Sequence, residues 1–299
     1  MIQAWKNYWF SPQSAFNLGV CRFLAYFVVM IAYLQTPFSH WAELGPKSPF
    51  WEPLWLFKTL HLPVLGASAL GLVQLVWKIS LVMACVGLFT TYSTVITWLL
   101  GTYLIALTFN YGKIEHQTMP MIIVLGILAL SRCGDGFSLD AWLAARRGRP
   151  APPPSGEYRW PIRMVWLLMS ITFFAAGIAK LRGTGIHWAT GPAFSTLLIQ
   201  QFYSVNPPHV RWGLFIANHR MLSHLMAGGS LLTELLFPLA MFHPKARRIF
   251  PLATFGMQVG IGLMMNVWFI QFLALYVFWV PWDALLRRES VGKPAGCDS

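Results

Sequence analysis

Residues 161–194, PIRMVWLLMSITFFAAGIAKLRGTGIHWATGPAF, decide the fold of this chain. The stretch begins as an apolar run, residues 162–178, which with its flanks is long enough to cross a bilayer as one helix. It then changes to a polar sequence with several glycines, which contains Lys180, Arg182, His187 and Trp188. A membrane helix that ends in polar side chains is therefore the starting point for interpreting the rest of the chain.

Lys180 follows directly on this apolar run, and two interpretations of it stay open. An ammonium group at the end of a membrane helix costs free energy unless it reaches water or a partner. In the first interpretation Lys180 snorkels, with its stem along the helix and its amine at the interface. In the second, it lies at the rim of a site, where desolvation favours the neutral amine and makes it a usable base.

The composition favours a membrane protein. Of the 299 residues, 56% are hydrophobic and 11% are charged, and the mean hydropathy is +0.54. These values argue against a disordered chain and against a water-soluble globule. They are typical of a polytopic α-helical protein in contact with membrane lipids.

Neither the charge nor the cysteines indicate a nucleic-acid or metal site. The formal net charge is +12, but the basic residues cluster in short loops between apolar runs, where topology and anionic lipid explain them. The four cysteines show no CxxC spacing, and no His-Glu-x-x-His pattern occurs. The sequence predicts no nucleic-acid partner, no metal and no disulfide framework.

Eight apolar segments can be drawn at about 20 residues per crossing: residues 16–34, 69–89, 94–109, 118–131, 162–180, 222–242, 250–265 and 267–285. The sequence therefore predicts an all-α fold, a transmembrane helical bundle of about eight crossings in a single domain, 1–299. The fourth segment is short, and either spans with help from its flanks or is partly re-entrant. Residues 193–202 are apolar but too short to span, and are predicted as an interfacial or re-entrant helix.

Arginine-rich loops set the predicted orientation. With a cytoplasmic N-terminus, the basic residues within 132–163, 245–248 and 287–288 all fall on the cytoplasmic side, as the positive-inside rule requires. The stiff proline-rich linker, 150–160, and the C-terminal tail, 286–299, lie on that side too. No cleavable signal peptide is evident. We expect an integral protein of the inner, cytoplasmic membrane.

Histidines gather on the opposite, outward side of this topology. Because histidine transfers protons near neutral pH, their position favours an outward-facing site. The alternative is that these interfacial side chains have no function. The histidines assigned to that side are His40, His61, His116, His187, His209 and His219.

Glu234 is the carboxylate well inside an apolar run, so it must be paired, protonated or facing a cavity. Its role is either a structural hydrogen bond between helices or part of a site. Gly228 and Gly229, about one turn earlier, are predicted to let a neighbouring helix approach. Asn266 either lines the same outward site or caps a turn. Four methionines are predicted to be packing residues: Met119, Met121, Met264 and Met265.

Four blocks of the chain, in order, resemble the HTTM membrane domain shared with vitamin K-dependent gamma-glutamyl carboxylases. The first two are SPQSAFNLGVCRFLAY at 11–26 and EHQTMPMIIVLGILALSRCGDGFSLDAW at 115–142. The third is AGIAKL at 176–181, followed by Trp188 and Gly191, and it is the most specific. The fourth is MAGGSLLTELLFP at 226–238, together with Met265 and Asn266.

The resemblance implies a bacterial-type integral membrane enzyme with a lysine base at an outward-facing pocket. In the carboxylases, a lysine at the position of Lys180 deprotonates reduced vitamin K, and oxygen converts the hydroquinone to an epoxide. The strong base so formed removes a proton from glutamate, and the carbanion adds carbon dioxide. By position, His116 matches a histidine that assists carboxylation.

The cofactor that the resemblance implies is reduced vitamin K or a related quinone, with O₂ and CO₂ as co-substrates. Lys180 and His116 are the predicted catalytic residues. The substrate would be a peptide or a small carboxylate. The predicted substrate- or cofactor-binding residues are Glu234, Asn266, His187, Trp188 and Arg182.

Several departures from the carboxylase pattern keep other functions open. Ala179, Ala227 and Leu263 stand where the carboxylases have a lysine and two histidines, and we expect no counterpart of their large extracytoplasmic domain. These departures argue against carboxylation of a protein substrate in particular. The alternatives are a non-enzymatic carrier of lipid or quinone, a helper in peptide maturation or export, and a structural partner subunit.

Overall fold

The computed structural model describes residues 2–38, 40–41, 45–46, 48–111, 118–204 and 211–286. The fold is 76% helix, and the described residues contain no strand. The α-helices, numbered in chain order, are α1 (Ile2–Phe10), α2 (Ala15–Tyr33), α3 (Trp55–Leu60), α4 (Ala67–Val86), α5 (Thr90–Phe109), α6 (Thr118–Ala129), α7 (Leu139–Arg146), α8 (Trp160–Thr184), α9 (His187–Thr190), α10 (Ala193–Ser204), α11 (Trp212–Asn218), α12 (Arg220–Leu236), α13 (Leu239–Phe242), α14 (Pro244–Met265), α15 (Ile270–Leu273) and α16 (Trp282–Leu286). The predicted all-α class is confirmed.

Five stretches of described helix are long and apolar enough to cross a membrane: α2, α4, α5, α14 and the stretch Gly156–Thr184 that contains α8. Two shorter apolar helical stretches are Thr118–Ala129 and Ile270–Trp279. Helices of this length and composition indicate a membrane protein. The count of eight crossings and the sides of the termini stay predictions.

Two of the predicted spanning segments are not single helices. The sixth, 222–242, is divided into α12 and α13 at Phe237–Pro238, because a proline ring removes a backbone donor and clashes with the preceding turn. The eighth, 267–285, is divided into α15, a 3₁₀-helix at Ala274–Trp279, and α16. Pro281 precedes α16, and a residue before proline is disfavoured in helical conformation. A helix is confirmed at the predicted 193–202, as α10, and its interfacial or re-entrant placement stays a prediction.

The chain forms two compact units. Unit 1 comprises the described parts of Met1–Met164 and Val280–Ser299, and unit 2 is Val165–Trp279. In unit 1, Trp77 of α4 is fully buried and its indole Nε1 donates to the carbonyl oxygen of Thr97 on α5 at 3.0 Å. Gly101 makes room for this ring, because a Cβ there would lie 2.7 Å from Nε1. A buried indole with its N–H bonded stabilises the α4–α5 packing.

The first two sequence blocks meet in unit 1. A Cβ on Gly19 of α2 would lie 1.8 Å from the carbonyl oxygen of Gly136, so the two backbones touch. One turn later, Arg22 is fully buried and its Nη2 donates to the carbonyl oxygen of Phe137 at 2.7 Å. Gly87, the left-handed C-cap of α4, packs against the same guanidinium. These blocks therefore hold helices together.

The polar turn after α6 caps two helices. The Ser138 hydroxyl accepts from the backbone N–H of Ala141 at 2.9 Å and begins α7. Asp140 accepts from the backbone N–H groups of Phe89 and Thr90 and from the Thr90 hydroxyl, at 2.7–2.9 Å. Free N–H groups at the start of α5 are thereby satisfied. The Ser-x-Asp pattern of the second block has a structural role here.

Unit 2 is held together by aromatic contacts. Trp166 of α8 stacks on Trp279 with ring centroids 4.4 Å apart, and its Nε1 donates to the carbonyl oxygen of Phe278 at 2.8 Å. Phe173 packs against Phe237 at 4.7 Å. A core cluster lies among the shorter helices and consists of Phe194, Leu198, Ile216 and Ala227. The last described turns of α8 and all of α12 belong to this unit, and they carry the third and fourth sequence blocks.

Candidate functional site: a lysine–carboxylate pair beside an apolar cavity

Lys180, on the last turns of α8, forms an ion pair with Glu234 of α12. Its Nζ donates to both carboxylate oxygens. The Lys180 side chain is 22% exposed and that of Glu234 is 5% exposed. The amine is therefore directed toward a carboxylate rather than simply toward water, and the pair removes the cost of leaving either charge alone in apolar surroundings.

A glycine lets α8 and α12 place these two side chains together. Leu235 packs onto Gly177, one turn before Lys180, where a Cβ would lie 2.8 Å from Leu235 Cδ2 and 3.4 Å from Glu234 Cβ. The sequence also predicts the approach of a neighbouring helix at Gly228 and Gly229. A Cβ at Gly228 would meet Ala189 at an ordinary 3.7 Å, and one at Gly229 would have no atom within 4 Å. Helix α9 therefore lies in ordinary contact with Gly228, the prediction fails at Gly229, and the tighter approach of two helices is at Gly177.

Trp188, on the short helix α9, borders the ion pair. The Lys180 Nζ lies 5.2 Å from the centroid of the indole ring, within the range of a cation–π interaction. The indole Nε1 is buried and has no hydrogen-bond partner among the described residues. A buried indole N–H usually has a partner, so this donor is an unsatisfied polar group beside the ion pair.

A cavity of about 300 Å³ lies beside the pair, within unit 2. Most of its wall is apolar, and four methionines contribute to it. Methionine is flexible and polarizable, so such a wall adapts to irregular apolar groups. The residues that line the cavity are Lys180, Trp188, Phe194, Leu197, Met226, Ser230, Glu234, Gly256, Met257, Gly260, Ile261, Met264, Met265, Val267 and Phe269.

Three of the predicted binding residues are not among those that line this cavity. Arg182 and His187 are exposed. Asn266 is exposed in the left-handed conformation (φ 54°), and its backbone N–H bonds the carbonyl oxygen of Gly262 at the end of α14. Asn266 thus caps the helix, as one of its two predicted roles required. His116 lies outside the described residues, and its role stays a prediction.

Most of the cavity wall consists of residues that were not predicted as site residues from the sequence. Met264 and Met265, predicted as packing residues, line the cavity as well as packing near Phe194. Met226 and Ser230 precede Glu234 at intervals of four, and Gly256 and Gly260 share the same interval on α14. This spacing, which places residues on one helix face, was the signal that could have revealed them.

His224 is not among the histidines predicted to lie on the outward side. It lines a second, more open hollow of about 640 Å³ together with Arg220. For metals, the described residues contain no group of three or more His, Cys, Asp or Glu side chains that could hold an ion.

Comparison with known proteins adds no family to this geometry: no family model, curated protein or solved structure matches the chain. The resemblance to the carboxylases therefore stays a prediction, and the site must be interpreted from its own chemistry.

Proposed function

We propose that this membrane protein is carboxylase-like and that unit 2 acts on a reduced quinone at the Lys180–Glu234 pair. The observation that carries the proposal is an ion pair placed at the edge of an apolar cavity. A bilayer delivers lipophilic molecules to such a cavity from the side. We also propose that the protein crosses the inner membrane eight times. Its termini would be cytoplasmic and its site would face outward.

The cavity residues fit a quinone. A volume of about 300 Å³ lies at the lower end of ordinary small-molecule sites, which combine apolar walls with few polar groups. The methionines and Phe194 would hold the apolar part. The unpartnered Trp188 N–H and the Lys180 amine would hold an oxygen. A reduced quinone, when bound, supplies an acidic hydroxyl and reducing equivalents.

In this proposal Lys180 and Glu234 act together, because the Lys180 Nζ donates to both carboxylate oxygens of Glu234. In apolar surroundings the pair exists either as an ion pair or, after proton transfer, as an amine beside a carboxylic acid. The second form gives Lys180 a free amine that accepts a phenolic proton, while Glu234 holds the other proton. Lys180 is then the base and Glu234 the group that controls its charge. His116 as an auxiliary group, with O₂ and CO₂ as co-substrates, completes the proposal.

The test is oxidation of reduced vitamin K by the purified full-length protein in lipid nanodiscs. Lys180→Ala is expected to lower the rate about 100-fold or more, the lower range for loss of a general base. Lys245→Ala is the matched control, because Lys245 is an exposed lysine of the same unit that does not line the cavity. Equal rates in the wild type and Lys180→Ala would refute the assignment of the base.

A non-enzymatic quinone or lipid carrier is the second candidate. The ion pair favours it, because a nearby carboxylate stabilises the ammonium form of Lys180, which is not a base. A carrier would bind the reduced quinone in the wild type without any turnover that depends on Lys180. The same nanodisc experiment, with binding and oxidation measured side by side, separates the two functions.

A further inference from the structure

We infer that the unit 2 cavity selects a neutral amphiphile over a carboxylate, because the Lys180–Glu234 pair leaves its polar end without net charge. The inference rests on the proposed function, since it names the substrate class of the same site. It concerns what enters the cavity rather than what happens there.

The ionisable groups of the cavity wall balance each other in charge. Among the described residues that line the cavity, Lys180 and Glu234 are the ionisable ones. Their charges sum to zero whether the proton sits on the amine or on the carboxylate. An incoming carboxylate would thus be buried beside a cation that already has its partner, and an uncompensated buried charge is costly.

Two polar side chains of the cavity wall, Ser230 and Trp188, differ in their free hydrogen-bonding capacity. Ser230 already donates its hydroxyl proton to the carbonyl oxygen of Ala227 at 2.8 Å. The Trp188 indole is a donor without acceptor capacity, and it has no partner among the described residues. A ligand with one acceptor oxygen, such as a carbonyl, ether or phenol group, satisfies this donor without bringing in charge.

The apolar part of the cavity wall includes two glycines of α14. A Cβ on Gly256 would meet no atom within 4 Å, and on Gly260 it would meet the flexible end of Met264 at 3.3 Å. These glycines therefore leave open space along α14 rather than serving close helix packing. The space, lined by methionines, suits the apolar chain of an amphiphile. A carboxylate substrate would have to be held outside this cavity.

Equilibrium binding of two radiolabelled probes with the same chain, methyl decanoate and decanoate, tests the inference. The full-length protein is used in lipid nanodiscs at pH 7.5, with binding to empty nanodiscs subtracted. We expect the wild type to bind the ester at least about tenfold more tightly than the carboxylate, a factor equal to about 1.4 kcal/mol.

Charge variants of the pair give the decisive comparison. Glu234→Gln leaves the Lys180 cation without its partner, so the preference should reverse toward decanoate. The double variant Lys180→Gln/Glu234→Gln is neutral again and should restore the preference for the ester. If Glu234→Gln alone folds poorly, the wild type and the double variant still test the inference, because both are expected to prefer the ester.

Filling the cavity provides the location control. Gly256→Leu should abolish binding of both probes. Gly229→Leu should not, because Gly229 is exposed on α12, does not line the cavity and has equally open space around it. Wild-type preference for decanoate, equal binding of both probes, or binding unaffected by Gly256→Leu would each overturn the inference. Selective binding without quinol oxidation would instead refute only the enzymatic proposal.

Discussion

Arg22 in unit 1 and Lys180 in unit 2 are both basic residues on apolar helices, yet their surroundings differ. Arg22 is fully buried, bonded to the backbone carbonyl of Phe137 and packed against Gly87. Lys180 is partly exposed, bonded to the carboxylate of Glu234 and next to a cavity. A charge in an apolar helix is therefore not by itself evidence of a site. Lys180 is a candidate site residue because a cavity lies beside its charge, whereas Arg22 is closely packed.

The four sequence blocks show the same contrast between close packing in unit 1 and a cavity in unit 2. The first two meet in unit 1 without space between them, as the contact of Gly19 with the Gly136 backbone shows. The third and fourth supply both the ion pair and part of a cavity wall in unit 2. We therefore expect substitutions in the first and second blocks to affect folding. Substitutions in the third and fourth blocks should affect ligand binding.

The largest expected effect is that of Gly87→Ala in unit 1. A Cβ there would lie 1.9 Å from Arg22 Nη1, and the backbone is left-handed with φ +74°. We expect a loss of about 3 kcal/mol or more in the free energy of unfolding, the sum of backbone strain and a clash with a buried side chain. Chemical unfolding in detergent measures it.

Gly148→Ala is the matched control for Gly87→Ala. Gly148 has the same φ of +74° but no atom within 4 Å of an added Cβ. Its cost should be about 1–2 kcal/mol, the strain of a left-handed non-glycine residue alone. Equal losses for the two variants would show that Arg22 does not fix this part of unit 1.

An intermediate effect is expected when the pair in unit 2 is broken. Glu234→Gln should lower the free energy of unfolding by about 1–3 kcal/mol, because Lys180 loses its carboxylate but still reaches some solvent. The double variant Lys180→Gln/Glu234→Gln should regain much of that loss. Glu157→Gln, which alters an exposed carboxylate, should have no effect. Lys180→Gln completes the comparison, and a double-variant loss equal to the sum of the Lys180→Gln and Glu234→Gln losses would exclude coupling between the two residues.

The smallest effect is expected for Trp188→Phe, and Trp77→Phe is the comparison for it. Trp188→Phe removes an N–H that has no partner among the described residues, so stability should change by less than about 1 kcal/mol while ester binding weakens. Trp77→Phe removes a bonded N–H and should destabilise unit 1 by about 1–3 kcal/mol, because the Thr97 carbonyl loses its donor. Thermal unfolding of both variants compares them, and a larger loss for Trp188→Phe would mean that this indole serves packing.

Several features of the fold were readable from local sequence. Apolar runs of sufficient length predicted α2, α4, α5, α8 and α14, because hydropathy and helix length are properties of neighbouring residues. The division of the sixth and eighth segments was missed although Pro238 and Pro281 marked it. Lys180 and Glu234 were singled out because each stands at an unexpected place in an apolar run.

The sequence by itself determined the helical membrane class and which ionisable residues had to find partners, since the cost of burying a charge depends on the residue and its apolar neighbours. Only the tertiary structure decided that Glu234, 54 positions away, is the partner of Lys180. It alone decided that Asn266 ends a helix and that methionines and glycines enclose a cavity. Such contacts depend on how each helix is rotated and packed against the next, and hydropathy along a single chain does not encode that rotation.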